Sequence, residues 1–491
     1  MEKNDIAKIE LTPSQSNVLK KIMEFVEHPT DRVFILKGYA GTGKTTLMRF
    51  LIEKLQEKRK NYRLLASTGR AAKVLANLSD KNGQASTIHS MIYSFNGLNK
   101  EYDEKEEIKA DANGQLFLVF EPTKLNESES PETIYIVDEA SMVSDVPSRD
   151  VTQAKFGSGR LLKELLEYDK RPRSKFIFVG DPCQLPPIEQ YFSPALLPAY
   201  FMSEYGMNAQ EAQLTEIMRQ GDGNDIVTAS KKIRGLYNQA PHDVSAYGRQ
   251  KLWCYLPFRR CKNILLHGNV AEMIDDYVSK VKTYGMNRAV CVCRRNKDCN
   301  ELSNIIRAKL GFIHGQIQVG DLLMVVQNNN PTDLMNGDMV VVEEISDRYE
   351  TRALLTFRRI KVKELFTGKS YSTLIIEDTV TQARLNLDSH QQQELFVDFI
   401  MRMRRKGISS KKTPKAFYDA MFADPYLNAL RCMYGYAVTC HKSQGGEWED
   451  VYVHVPRNIT LNPTKETYQW IYTAMTRAQN TLHLVNDFFI K

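Results

Sequence analysis

The sequence predicts an α/β protein built on parallel sheets. Apolar runs typical of buried strands begin at Val33, Ile134 and Lys175, and each ends in a turn rich in glycine, acidic residues or proline. Strands and helices alternate up to about residue 90, and the alternation resumes near Ile134. This alternation favours parallel strands, whose carboxyl ends are where open α/β sheets bind ligands.

The composition is that of an ordinary soluble chain. It has 491 residues, 42% hydrophobic and 25% charged, which is enough for about two to four domains. Neither a signal peptide nor an apolar run of membrane length occurs, so we expect a cytoplasmic protein without membrane contacts. The eight cysteines lack the spacing of a zinc site and are interpreted as reduced thiols. A net charge of +7 permits binding to a polyanion without demonstrating it.

The first turn has the pattern of a phosphate-binding loop, the Walker A motif. Residues 38–46 read Gly-Tyr-Ala-Gly-Thr-Gly-Lys-Thr-Thr between a buried strand and a helical pattern. Backbone N–H groups and a helix N-terminus then point at one place, which suits a polyphosphate. Lys44 is expected to reach the terminal phosphates, and the Thr45 hydroxyl is expected to hold Mg²⁺. The predicted cofactors are ATP and Mg²⁺, and the predicted binding residues are Gly38, Gly41, Thr42, Gly43, Lys44, Thr45 and Thr46.

The second turn carries two adjacent carboxylates, as a Walker B motif does. Asp138 and Glu139 follow the apolar run Ile134 to Val137. One carboxylate can hold Mg²⁺ while its neighbour polarises the attacking water, so we assign Asp138 to the metal and Glu139 to general-base catalysis. Without the Walker A motif, the pair would be interpreted as a solvated strand end.

The third turn points to a family. After the strand at residues 175–179 the chain reads Gly-Asp-Pro-Cys-Gln-Leu-Pro-Pro, which resembles motif III of the superfamily 1 helicases. In that family the glutamine senses the terminal phosphate and links it to the nucleic-acid groove. The resemblance implies that Gln184 is this sensor. A segment of this kind standing alone would be interpreted as a proline-terminated turn with a surface amide.

Three further segments before residue 220 resemble motifs of the same family, in the family's order. Residues 11–15 resemble the Q motif, which implies that Gln15 reads the adenine edge. Residues 65–72 and 86–89 resemble the elements that line the single-strand path, which implies contacts from Thr68, Thr87 and His89. Residues 214–220 resemble motif IV and imply that Arg219 contacts the γ-phosphate. A lone histidine is otherwise commonly a hydrogen-bonded structural residue.

Two segments near the C-terminus complete the series. Residues 436–445 resemble motif V, which implies nucleic-acid contacts from Thr439, His441 and Lys442, and nucleotide contacts from Gln444 and Gly445. Residues 472–478 resemble motif VI, with Arg477 as an arginine finger. Phosphoryl transfer spreads negative charge over the γ-phosphate oxygens, and guanidinium groups brought close would stabilise it. Arg219 and Arg477 are therefore expected on a second lobe that closes on ATP, although most arginines are simply surface ion-pair residues.

The Leu-Pro-Pro of motif III and the Lys-Ser-Gln-Gly of motif V resemble the 5′-to-3′ class typified by RecD and Dda. The resemblance implies two RecA-like P-loop lobes with parallel sheets, a small hairpin insertion in the first and an SH3-like β-barrel insertion in the second. The expected ranges are 1–90 and 131–204 for the first lobe, 91–130 for the hairpin, 205–318 and 427–491 for the second lobe, and 319–426 for the SH3-like insertion with a basic extension.

The hairpin insertion is the expected strand-separating pin. Asn113-Gly114 beside a β-rich run is a strong hairpin signal, because both residues tolerate positive φ. Its position between the motifs at residues 86–89 and 138–139 matches the pin of the resembled helicases. A surface hairpin without this role stays open as an alternative, since the turn carries no aromatic wedge.

The sequence thus predicts an ATP-dependent DNA helicase or translocase that moves 5′ to 3′ on single-stranded DNA, the direction resting on resemblance alone. Expected partners are single-stranded DNA and its junctions with duplex DNA, and a monomeric motor is expected. DNA repair and recombination are expected uses. Two alternatives stay open: a nucleic-acid-stimulated ATPase that remodels protein complexes, and an RNA helicase of the same superfamily.

Overall fold

Four β-sheets organise the part of the chain that the structure describes. The structure, a computed structural model, describes residues 10–78, 85–98, 118–125, 132–147, 154–216 and 224–491. The strands in these ranges are β1 Val33–Gly38, β2 Asn61–Ala66, β3 Ala85–Thr87, β4 Tyr93–Leu98, β5 Leu118–Pro122, β6 Thr133–Asp138, β7 Ala154–Phe156, β8 Lys175–Gly180, β9 Ala209–Leu214, β10 Ile264–His267, β11 Ala289–Cys293, β12 Leu322–Val325, β13 Met339–Arg352, β14 Leu355–Glu364, β15 Ser370–Ile376, β16 Cys432–Tyr434, β17 Ala437–Thr439, β18 Trp448–Val453 and β19 Ala478–Val485.

Helices cover and connect these sheets. They are α1 Pro13–Glu27, α2 Lys44–Glu57, α3 Gly69–Ala76, α4 Ile88–Ile92, α5 Leu161–Tyr168, α6 Pro198–Tyr205, α7 Asp225–Gln239, α8 Val270–Tyr284, α9 Asn296–Leu310, α10 Glu377–Thr381, α11 Ser389–Arg405, α12 Pro414–Ala423, α13 Cys440–Ser443, α14 Arg457–Thr460 and α15 Lys465–Met475. No helix in the described ranges is long and apolar enough to cross a membrane.

The first lobe is a six-stranded parallel sheet in the order β3-β2-β6-β8-β1-β9. Helices α1 and α2 bury one face with residues such as Ile22 and Leu51, and α4 to α6 bury the other with residues such as Leu162 and Phe201. The phosphate loop follows β1, the Asp138 turn ends β6 and the Gln184 turn follows β8. Because these three strands are parallel neighbours, all three turns lie at one edge of the sheet.

The first lobe extends further along the chain than the expected end at residue 204. Strand β9 pairs in parallel with β1, with Val33 opposite Ala209, and so completes the first sheet. Only Ala212 and Leu214 of this strand are buried, because it is an edge strand. Its composition is polar and includes Gln210 and Glu211, so it lacks the apolar run that predicts a buried strand.

The second lobe is a five-stranded parallel sheet in the order β10-β19-β18-β11-β17. Helices α7 and α15 pack on one face, and α8 and α9 pack on the other. Two parallel α/β lobes agree with the predicted fold class. All eight cysteines are free and seven are buried, as expected for reduced thiols.

An antiparallel sheet, β15-β14-β13-β12-β16, is inserted into the second lobe. Its centre is one long hairpin of β13 and β14 rather than separate short strands. Strand β16 lies beyond the expected boundary at residue 426 and pairs with β12, so the insertion returns to the lobe only between β16 and β17. The SH3-like closure of this sheet stays a prediction.

A small sheet, β4-β5-β7, belongs to the first lobe. Strands β4 and β5 are antiparallel, as the two arms of a hairpin are. The expected tip at Asn113-Gly114 lies outside the described residues. Strand β7 falls outside the expected range 91–130 and joins β5 in parallel, where Phe156 stacks on Phe120 with centroids 4.7 Å apart.

The basic extension of the second-lobe insertion contacts this small sheet. Helices α11 and α12 share a buried apolar cluster centred on Phe399 and Phe417. Phe95 of β4 packs against it, with ring centroids 5.2 Å from Tyr418 and 4.9 Å from Phe422. The insertions of the two lobes therefore meet through aromatic side chains.

Candidate nucleotide site and nucleic-acid interface

The phosphate loop has a conformation that glycine makes possible. Gly41 and Gly43 have φ of 77° and 76°, in the left-handed region that favours glycine. A Cβ at Gly38 would lie 2.8 Å from both Lys44 Cγ and Thr42 Oγ1, so the close approach of backbone and side chains excludes larger residues. The Lys44 ammonium donates to the carbonyl oxygens of Gly38 and Tyr39 at 2.7 and 3.1 Å. The loop thus holds its lysine against its own backbone.

Gln15 lies behind the phosphate loop. It is buried, its side chain completes a capping box with Thr12 at the start of α1, and its amide donates to the Thr42 carbonyl at 3.3 Å. The contact ties the start of α1 to the phosphate loop, and a contact between Gln15 and adenine stays a prediction.

The two carboxylates after β6 occupy different environments. Burial, together with the charge of Glu139, raises the pKa of Asp138 to about 7. Glu139 has a φ of 49°, unusual for a residue with a side chain, and its carbonyl accepts from the Ser67 hydroxyl at 3.1 Å. A cation beside Asp138 would favour its charged form, and Thr45 supplies a hydroxyl to the same cleft. This oxygen donor set fits Mg²⁺.

Gln184 is held by the second lobe. Its backbone carbonyl accepts from the Gln469 amide of α15 at 3.2 Å, and the backbone N–H of Leu185 donates to Thr473 at 2.9 Å. The Oε1 atom of Gln184 is buried without a hydrogen-bond partner in the described part of the chain. Gln444 donates to the Leu185 carbonyl at 3.1 Å. The turn after β8 is thus fastened to two second-lobe segments.

Arg477 is buried at the end of α15. Its guanidinium donates to the carbonyl oxygens of Thr473 and Gly446 at 3.1 and 3.3 Å. Arg477 and Gly445 enter the same cleft as the first-lobe residues, and the cleft has a volume of about 780 Å³. The predicted residues that line it are Thr42, Gly41, Gly43, Lys44, Thr45, Thr46, Asp138, Glu139, Gln184, Gly445 and Arg477. Arg219 lies outside the described residues.

Known proteins are similar to this chain along most of its length. Residues 10–251 match a family model described as an AAA domain, and residues 434–485 match a UvrD-like helicase C-terminal domain. The chain is 23% identical over 491 residues to the ATP-dependent DNA helicase Dda of Enterobacteria phage T4, covering 96% of this chain and 98% of Dda. It is 24% identical over 314 residues to the ATP-dependent RecD2 DNA helicase of Deinococcus radiodurans, covering 63% of this chain and 36% of RecD2.

These matches support placing the chain with the superfamily 1 helicases, in the 5′-to-3′ class of RecD and Dda. It is therefore an ATP-hydrolysing enzyme. A Pif1 helicase structure from Bacteroides, solved with ADP-AlF3 and single-stranded DNA, superposes with a TM-score of 0.50 at 18% identity, covering 98% of this chain and 94% of that one. This likeness supports the same fold along nearly the whole helicase.

The predicted nucleic-acid residues of the helicase fall into two neighbourhoods. Thr68 caps α3, and its hydroxyl lies 3.7 Å from where a Cβ on Gly445 would be, so the segments around residues 68 and 445 meet across the lobes. Thr439 and the partly buried Lys442 lie in the same second-lobe segment as Gly445, and burial lowers the pKa of Lys442 to about 8. Burial also lowers the pKa of His441.

His89 and Thr87 lie by the small sheet. The ring of His89 packs on Tyr93 and Phe156, with centroids 5.7 and 5.1 Å away, and burial lowers the pKa of His89 to about 4. The Thr87 hydroxyl accepts from the Ser90 backbone and caps α4. These contacts give both residues a structural role, so a contact with nucleic acid stays a prediction.

Sequence reasoning missed one residue that lines the cleft and one that is buried next to the phosphate loop. Arg70 lines it, with its guanidinium 4.5 Å from the centroid of Trp448, and burial lowers the pKa of Arg70. Tyr472 hydrogen bonds to both the phosphate loop and Asp181. Both lie inside segments that resemble helicase motifs. The aromatic and polar partners that define their roles, however, are remote in sequence.

Proposed function

We propose that this helicase hydrolyses ATP to move 5′ to 3′ along single-stranded DNA and to separate strands where single-stranded and duplex DNA meet. The observation that carries the proposal is the cleft in which Lys44 and Glu139 of the first lobe face the same space as Arg477 of the second. A site shared by two lobes makes hydrolysis depend on their closure, which is how ATP chemistry drives motion.

Each residue has a distinct part in the chemistry. Glu139 orients the attacking water and accepts its proton, and Lys44 with Arg477 offsets the charge that develops on the γ-phosphate. Thr45 and Asp138 would hold Mg²⁺, which neutralises phosphate charge when bound. Gln184, whose amide oxygen is free to reach a ligand in the cleft, reports the nucleotide to the second lobe.

DNA is the proposed track because Dda and RecD2 are DNA helicases by name. Thr68, Thr439 and Lys442 are the proposed contacts where the lobes meet, and the hairpin around Asn113-Gly114 is the proposed pin. We further propose a monomeric motor, a cytoplasmic location, and use in DNA repair or recombination. Neither remodelling of protein complexes nor RNA unwinding is favoured by any feature of the site.

ATPase measurements with and without nucleic acid test the proposal. We expect single-stranded DNA to stimulate turnover more than RNA does. Glu139→Gln should bind ATP as the wild type does and lower turnover by about 100-fold or more, because it loses the proton acceptor. Glu211→Gln is the matched control, since Glu211 pairs with Lys37 on the edge of the sheet outside the cleft. Full turnover by Glu139→Gln, or stimulation by RNA alone, would contradict the proposal.

A further inference from the structure

A cluster of two histidines and one aspartate lies at the edge of the second lobe, apart from the ATP cleft. His267 ends the edge strand β10, Asp276 lies on α8, and His483 lies on β19, next to β10 in the sheet. One ligand atom from each residue lies within 4.8 Å of the other two. Within the described ranges, no other group of three or more His, Cys, Asp or Glu residues has this geometry.

The distances in this His-Asp-His cluster suit a small metal ion. Nε2 of His267 lies 3.0 Å from Nδ1 of His483, and Nδ1 of His483 lies 3.3 Å from Oδ2 of Asp276. Zinc binds imidazole nitrogen and carboxylate oxygen at about 2.0–2.2 Å, so two ligands in a tetrahedral site lie roughly 3.3 Å apart. Two of the three separations therefore match those around a shared ion, and the third, between His267 and Asp276, is within 4.8 Å.

Neighbouring residues hydrogen bond to the ligand side chains or stack on them. In metal sites, such neighbours fix the orientation of the ligands. Nε2 of His483 lies 3.2 Å from Oδ1 of Asp450, and when it donates to that carboxylate, its Nδ1 lone pair faces the centre of the cluster. Tyr452 donates to Oδ2 of Asp276 at 2.6 Å, and its ring stacks on His483 with centroids 4.0 Å apart. Both ligands are thus fixed by neighbours that do not themselves enter the cluster.

The charges also favour a cation. Asp276 and Asp450 bring two carboxylates to the cluster, Glu272 adds a third nearby, and Lys280 offsets one of them by contacting Asp450 at 3.5 Å. With Nε2–H of His483 directed to Asp450, three lone-pair atoms lie within 4.8 Å of one another. A proton on Nε2 of His267 or on Nδ1 of His483 can join two of these atoms, whereas a metal ion can bind all three.

We propose that His267, Asp276 and His483 bind one divalent transition-metal ion, with Zn²⁺ as the ion whose ligand preference they match. Imidazole and carboxylate ligands suit Zn²⁺, and three protein ligands leave a position for water. The ion ties the short edge strand β10 to α8 and β19, which stabilises the margin of the second lobe. The site is independent of the nucleotide cleft, which none of the three ligands lines.

The test is Zn²⁺ binding by the full-length protein after treatment with a chelator, measured without nucleotide against a competing metal indicator. Wild type should bind one ion, and its melting temperature should rise because the ion binds the folded state. His267→Gln and Asp276→Asn, both at partly exposed positions, should lose binding and the rise in melting temperature. His390→Gln, at an exposed histidine on α11, is the matched control and should behave as wild type.

Two further measurements keep the proposal falsifiable. Asp450→Asn, which removes the outer carboxylate, should weaken binding about 10- to 100-fold. Co²⁺ bound in place of Zn²⁺ should show no thiolate charge-transfer band, which excludes the eight cysteines as ligands. ATPase activity of each variant verifies that it is folded. The proposal is wrong if wild type binds no ion, if His267→Gln and Asp276→Asn bind as tightly as wild type, or if the Co²⁺ spectrum shows thiolate ligands.

Discussion

The phenol oxygen of Tyr472 lies 2.8 Å from Oδ2 of Asp181, to which it donates. The same oxygen accepts from the backbone N–H of Ala40 at 3.0 Å. Tyr472 belongs to α15 of the second lobe, whereas Asp181 follows β8 and Ala40 lies in the phosphate loop. One buried hydroxyl therefore connects the nucleotide-binding loop, the turn that carries Gln184 and helix α15, which Arg477 follows.

Tyr472→Phe should lower ATP turnover by about tenfold, which corresponds to roughly 1.4 kcal/mol of activation free energy. The substitution keeps the ring but leaves the Asp181 carboxylate and the Ala40 N–H short of a partner, which costs about 1–3 kcal/mol. Steady-state ATPase assays and urea unfolding measure the two effects. Tyr468→Phe, at a buried tyrosine on the same helix, is the control. Wild-type turnover and stimulation by DNA in Tyr472→Phe would show that this link does not connect the lobes.

Stability should depend on pH through His89. Its pKa is lowered from 6.5 to about 4 by burial, so the unfolded chain takes up the proton first as pH falls. The contribution of neutral His89 to stability is complete above pH 6.5 and is lost as pH falls to about 4, by on the order of 3 kcal/mol. Urea unfolding across this range should show a shallower loss for His89→Gln than for wild type. If the free energy of unfolding of both proteins falls equally with pH, His89 is not held neutral in the folded protein.

Lys442 should contribute one phosphate contact to DNA binding. Its pKa of about 8 means that the ammonium is charged below this pH and neutral above it. Affinity for single-stranded DNA should therefore fall as pH rises above about 8, while Lys442→Arg, which stays charged, should not show this fall. Lys442→Ala should make the plot of log affinity against log salt shallower by about 0.7. Lys21→Ala, on the exposed side of α1, is the control, and an unchanged salt slope in Lys442→Ala would exclude the contact.

The contact between the two insertions should matter for strand separation. Phe95→Ala removes the ring that packs on Phe120, Tyr418 and Phe422. We expect unwinding to fall several-fold while DNA-stimulated ATPase is retained, because the substitution loosens the small sheet without touching the cleft. Tyr349→Ala, at an exposed aromatic on β13, controls for loss of an aromatic ring. Unwinding at the wild-type rate by Phe95→Ala would mean that strand separation does not need the contact between the insertions.

Local signals explain what could be predicted from the sequence. A buried strand, a glycine-rich turn and a helix are adjacent in the chain, so the phosphate loop and Asp138-Glu139 were evident without tertiary information. The polar edge strand β9 and the short strand β7 were missed, because each is defined by its partner and not by its own pattern. The His267 and His483 cluster depends on parallel pairing of β10 with β19, strands more than two hundred residues apart in the chain.

Unwinding of tailed duplexes shows whether ATP hydrolysis drives this protein 5′ to 3′ along DNA. The measurement compares a 5′-tailed with a 3′-tailed DNA duplex of the same sequence, in the presence of ATP and Mg²⁺, with Glu139→Gln as the inactive control. We predict that wild type separates the 5′-tailed duplex and leaves the 3′-tailed duplex intact. Separation of the 3′-tailed duplex alone, or of neither while ATPase proceeds, would show that the protein does not unwind DNA in the 5′-to-3′ direction.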